Sequence, residues 1–110
     1  MRRLIVSLIL TAPLLANADP ATERLWKAKC GSCHGADGKG QTDQGKKMNT
    51  ADMSTAAWQK DFTDDKIKAA INDGLKRDKG GVHQEMDAFK AKLKPEQVDA
   101  LVAQIRSFKK

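Results

Sequence analysis

The chain has no tyrosine, two cysteines, two histidines and three prolines, and no proline falls between Gly35 and Glu85. A zinc site needs a second cluster of good ligands. Beyond Cys30, Cys33 and His34, however, the one remaining histidine is the isolated His83. No segment reads as a convincing buried strand, which removes the alternating strand and helix order of a thioredoxin-like module and leaves an all-α fold. Large apolar residues are scarce. From residue 19 onward, Leu, Ile, Val and Phe total 13 of 92 residues, below the roughly 20% at which a chain looks unable to fold alone. So short a domain also buries a small fraction of its surface. The side chains need something more to complete a core.

What is present concentrates in Cys30-Gly31-Ser32-Cys33-His34. C-x-x-C-H is the form in which two thiols are joined covalently to a haem and the adjacent imidazole ligates its iron. On a helical turn, spacings of three and four residues put both sulfurs and the ring on one face. The competing reading of the cysteine pair is a redox dithiol. A covalently attached haem would also supply the apolar surface that the side chains lack.

The start of the chain points the same way. Met1-Arg2-Arg3 is basic, Leu4 to Leu15 is almost wholly apolar, and Ala16-Asn17-Ala18 has the small-x-small form of a signal peptidase site. Residues 1–18 therefore read as a cleaved export signal and residues 19–110 as one domain. The apolar run is shorter than the roughly 20 residues needed to span a bilayer, so no membrane insertion is expected after cleavage. In bacteria, haem is attached to such cysteines outside the cytoplasm, and a periplasmic location follows. Removing Arg2 and Arg3 from the 20 Lys and Arg leaves 18 against 14 Asp and Glu, a net charge of +4.

Pro20 opens a helical pattern to Cys30, with Glu23 at the positive end, Lys27 and Lys29 at the other, and Leu25, Trp26 and Cys30 on the buried stripe. GADGKGQTDQG, from Gly35 to Gly45, reads as a tightly turning loop, and Lys46 to Met48 as a short helical turn. Thr63 caps a second helix, with Asp64 and Asp65 in its first turn, Ile67, Ala70 and Ile71 on its stripe, and Gly74 as its stop. Lys76 to Gln84 reads as a basic loop around Gly80-Gly81. Pro95 opens the last helix, where Val98, Leu101, Val102, Ile105 and Phe108 recur at helical spacing.

An iron held by His34 leaves its opposite position to be filled, and a thioether there raises the reduction potential and closes the iron to substrates. The candidates are Met48, Met53, Met86 and His83. Most methionines only fill gaps in cores. Met86 is preferred because it lies alone in a loop, where the chain returns over the far face of the cofactor.

Residues 20–110 resemble a small monohaem class I bacterial cytochrome c. The resemblance rests on the haem motif near the mature start, CHGADGKG after it, and Met86-Asp87-Ala88-Phe89-Lys90-Ala91-Lys92-Leu93-Lys94-Pro95-Glu96-Gln97 running into the last helix. It implies three to five short helices wrapped around one covalent haem c, with the first and last helices packed together. Thr22, Leu25 and Trp26 would meet Leu101, Gln104, Ile105 and Phe108. It also implies Cys30 and Cys33 as attachment points and His34 and Met86 as iron ligands. There are departures. The family usually has proline after the axial methionine, where Asp87 stands. It often has a loop proline whose carbonyl accepts from the proximal histidine, and Gly35 to Glu85 has none. The lack of tyrosine removes a common donor to the axial sulfur. Trp58 reads either as a donor to a haem propionate or as a core aromatic.

The expected function is that of a periplasmic one-electron carrier and not an enzyme. Lys27, Lys29, Lys39, Lys46 and Lys47, with Lys76, Arg77 and Lys79, would ring the haem edge and steer it to redox partners with acidic docking surfaces. Such steering predicts transfer rates that fall with ionic strength. A monomer is expected, and no nucleic acid partner. The alternative is a haem sensor or peroxidase-like protein with an exchangeable sixth ligand.

Overall fold

The structure, a computed structural model, describes residues 19–110. The export signal expected at residues 1–18 lies outside the described residues. Helix α1, Pro20–Lys29, begins where Asp19 accepts from the Thr22 amide at 2.8 Å, a bond that also holds the Asp19 carboxyl below its usual range. The haem motif forms α2, the single turn Gly31–His34, which Gly35 ends. Three more helices each start on a threonine cap: α3, Asp43–Lys47, on Thr42; α4, Ala56–Asp61, on Thr55; and α5, Asp64–Asp73, on Thr63. In each case the hydroxyl satisfies an amide that the first turn leaves unpaired. The last helix, α6, is Pro95–Ser107, with the Gln97 side chain accepting from the Lys94 amide at 2.9 Å.

Two expectations are corrected. The fold is mostly helical rather than all-α, with six helices among the described residues instead of three to five, because residues 56–61, not read as a helix, coil into α4 behind the Thr55 cap, and the expected turn near Lys46 starts earlier as α3. Residues expected to form a basic loop instead make an antiparallel hairpin of β1, Leu75–Lys79, and β2, Val82–Met86. Gly80 and Gly81 form its two-residue turn, with φ of 60° and 77°, and two successive positive values are what a type I′ hairpin turn demands. Met86 therefore ends a strand, paired with Leu75, and does not lie in a free loop.

The core gathers where α1 and α5 pack on α6. Trp26, Ile67, Ile71, Val98, Leu101, Val102 and Ile105 are buried there. Trp26 meets Phe108 edge to face, with centroids 5.1 Å apart. Thr22 is buried on α1 together with Trp26. A polar network fastens α4 to α6. The Gln59 side-chain amide donates to the carbonyls of Met53 and Ile105 at 2.7 and 2.9 Å. Arg106 donates to Gln59 O at 2.7 Å, to Gln59 Oε1 at 3.0 Å and to Phe62 O at 2.6 Å, and pairs with Asp64 at 2.8 Å. Among the described residues no helix is long and apolar enough to cross a membrane.

Candidate haem site

A cavity of about 880 Å³ opens beside this core. Cys30, Cys33 and His34 line it from the haem-motif side, and Ile67, Ile71, Leu75, Met86 and Phe89 from α5, the hairpin and the segment after it. Its exposed lining is mainly apolar, as in a site for a flat organic cofactor, and charged side chains, Lys29, Lys47, Lys66 and Arg77 among them, border it.

The motif turn is held on several sides. The Thr42 hydroxyl donates to the carbonyls of Ser32 at 2.6 Å and Cys33 at 3.2 Å, and accepts from the Gly45 amide at 2.9 Å. The Gly40 amide donates to His34 O at 2.8 Å. The indole of Trp26 donates to Gly35 O at 2.9 Å, and its ring lies 5.8 Å from that of His34. This turn presents both sulfurs and the imidazole together, the arrangement that three- and four-residue spacings predict.

The chemistry of these groups fits haem better than a redox dithiol. Burial, with a smaller contribution from Cys33, pushes the Cys30 thiol up to about 11. The attacking thiol of a redox pair needs the opposite shift, so Cys30 does not suit that part. Burial also holds the His34 imidazole below its ordinary value and so favours the neutral ring that a metal requires. His34 Nδ1 is enclosed and has no hydrogen-bond partner, which leaves Nε2 as the nitrogen offered to the cavity. Metal-bound histidines almost always donate their second ring N–H to an acceptor. The proline whose carbonyl often fills that role in the family is missing here, and Gly35 O, the nearby carbonyl on the motif's end, is already taken by Trp26.

Residues 21–109 match the family model described as cytochrome c. The chain belongs to the cytochrome c family. Among solved structures, this cytochrome is similar to the KustC0563 c-type cytochrome, at 37% identity and a TM-score of 0.68, over 81% of this chain and 98% of that one. No curated protein matches it. The family implies a covalently bound haem c, and the paired cysteines stand at the spacing that attachment needs.

All four candidates for the sixth ligand border the cavity, in different settings. Met53 is 5% exposed and belongs to the core. Its amide donates to Gly38 O at 2.9 Å and its carbonyl accepts from Gln59, so it is a fixed packing residue. Met48 is half-buried where α3 ends, and its carbonyl accepts from Gln84 at 2.8 Å. His83 is exposed, and its two ring nitrogens meet Asp78 at 2.9 Å and Glu85 at 3.2 Å. Strand alternation places it on the face of the hairpin opposite Met86. Met86 is half-buried against the core. The base of its hairpin is fixed by the Phe89 amide donating to Ile71 O at 2.9 Å and that of Lys90 to Asn72 O at 3.1 Å.

Trp58 is half-buried in the cavity wall and stacks on the more exposed Phe62, with centroids 4.8 Å apart. Lys29, Lys47, Lys66 and Arg77 border the cavity. Sequence reasoning missed Thr42, Gln59, Gln84 and Arg106, polar residues that acquire a role only through distant partners. For Thr42, the N-cap preference of threonine before Asp43 was the available signal.

Proposed function

We propose that this cytochrome is an exported, periplasmic one-electron carrier whose haem is bound through Cys30 and Cys33 and ligated by His34 and Met86. The observation that carries this reading is the shared cavity. A motif turn offering two thiols and a neutral imidazole lines one side, and a thioether on a hairpin anchored to α5 lines another. Haem c supplies reversible one-electron chemistry when bound. Cys30 and Cys33 would tether it, His34 Nε2 and Met86 Sδ would hold its iron, and Ile67, Ile71, Leu75 and Phe89 would keep water from it. Two protein ligands leave no position for substrate, so the role is transfer rather than catalysis. Lys29, Lys47 and Lys66 at the cavity border suit partners with acidic docking surfaces.

Ferric absorption spectra test the ligand set. A thioether charge-transfer band is expected in the wild type, lost in Met86→Ala and kept in Met48→Ala and Met53→Ala. Met86→Ala should turn high-spin and bind carbon monoxide in the ferrous state. A wild type already high-spin and quick to bind carbon monoxide would replace the carrier with the sensor or peroxidase-like reading.

A further inference from the structure

Two arginines in this fold are used differently. Every side-chain nitrogen of Arg106 meets an acceptor within the protein. Arg77 is held by one bond alone, Nε donating to Gln84 Oε1 at 2.8 Å, and among the described residues its two terminal nitrogens have no acceptor and no carboxylate pairs with it. Gln84 is fixed in turn. Its amide nitrogen donates to Met48 O at 2.8 Å and Asn49 O at 3.3 Å, which turns its oxygen to the guanidinium. Arg77 and Gln84 are direct cross-strand partners, on the same hairpin face as Met86. The nearby acids Asp78 and Glu85 stand on the other face with His83. Arg77 borders both the main cavity and a smaller pocket of about 300 Å³ that it shares with Asn49, Ala51, Lys79 and Gln84.

A pre-oriented guanidinium with its outer edge unpaired is a receptor for a carboxylate, which it can take bidentately. Haem carries two carboxylates, on the half of the macrocycle opposite the groups that react with cysteine. They therefore point away from Cys30 and Cys33, and a carboxylate drawn toward a low-dielectric cavity needs a cation or donors beside it. The hairpin, tied to residues 48–49, borders the cavity apart from the motif turn. We infer that Arg77, aimed by Gln84, binds a haem carboxylate at the hairpin edge of the cavity. The inference rests on the haem reading above. It makes Arg77 a cofactor-binding residue and Gln84 a positioning residue.

The experiment is spectroelectrochemical titration of the holoprotein from about pH 4 to pH 8. A nearby cation keeps a carboxyl ionised to lower pH, and protonation of the carboxyl raises the potential. In Arg77→Gln, the pH at which the potential starts to rise on acidification should move up by about one unit. Gln84→Ala should shift it less, in the same direction. Lys76→Gln removes the same charge from the opposite face and should leave it in place. Coincident curves for wild type and Arg77→Gln overturn the inference, as does an equal shift in Lys76→Gln. An unchanged titration with a slower reaction toward ferrocyanide would assign Arg77 to docking of external anions instead, and also overturns it. Matching Soret absorption and circular dichroism establishes that the variants are folded. A wild type without the pyridine haemochrome of a thioether-bound haem would defeat the haem reading itself, a distinct result.

Discussion

At the scale of single residues, Gly45 and Gly31 show how differently the same residue type constrains the motif. A Cβ on Gly45 would collide with the carbonyl oxygen of Cys33, the backbone that presents the second thiol, whereas one on Gly31 would meet Trp26 O at an ordinary 3.5 Å. Overpacking a tight site costs about 1–3 kcal/mol. Gly45→Ala should lose that much in guanidinium denaturation of the holoprotein. Gly31→Ala, inside a helical turn, should be neutral or gain up to about 1 kcal/mol by restricting the unfolded chain. The difference was illegible in the sequence, where Gly45 is one of four glycines in a stretch read as loop. Cys30, Cys33 and His34 were legible because their roles depend on mutual spacing. The unpartnered Nδ1 of His34 was only half legible. A missing proline signalled that one acceptor was gone, and only the structure shows that the Gly35 carbonyl is committed to Trp26.

At the scale of elements, the helices that sequence described best are those with local punctuation: Pro20 opening α1, Thr63 and Gly74 bounding α5, and Pro95 opening α6. The hairpin escaped because both arms are short, LKRDK is almost wholly charged, and Val82 is the one β-branched residue in the two arms, with no aromatic strand former beside it. Its available signal was the Gly80-Gly81 pair between arms of equal length. The bonds joining elements were the least legible part. Arg106 lies in the last turn of α6, and nothing nearby shows that it closes on Gln59, Phe62 and Asp64. Hydrogen bonds from charged donors contribute about 1.5–3 kcal/mol, whereas the partly exposed ion pair with Asp64 is worth under about 1 kcal/mol. Arg106→Ala should therefore lower the denaturation midpoint well beyond Asp64→Asn. Equal losses would show that the ion pair, and not the carbonyl contacts, holds α4 to α6.

At the scale of the whole molecule, the shortage of aliphatic side chains legible in the sequence accompanies a cavity of about 880 Å³ beside a core of eleven buried apolar residues among those described. The basic charge of the chain gives a broad pH dependence of stability, on which His83 adds a component of known sign. Hydrogen bonds to Asp78 and Glu85 raise its folded pKa above the ordinary value of about 6.5. Its contribution is fully present below that value and is lost as pH rises through the folded pKa. The stability gap between wild type and His83→Gln should be widest in mild acid and close at alkaline pH, measured by denaturation midpoints across that range. A gap independent of pH would assign His83 a packing role only. The cavity has one more consequence. Both tryptophans of the chain border it, so a bound haem would quench the emission of each in the native state. Trp26 lies four positions before Cys30 and stays beside the tether after unfolding, while Trp58 lies 25 positions after Cys33 and separates from it. Recovered fluorescence would then come from Trp58, making the α4 wall of the cavity its own optical reporter of opening.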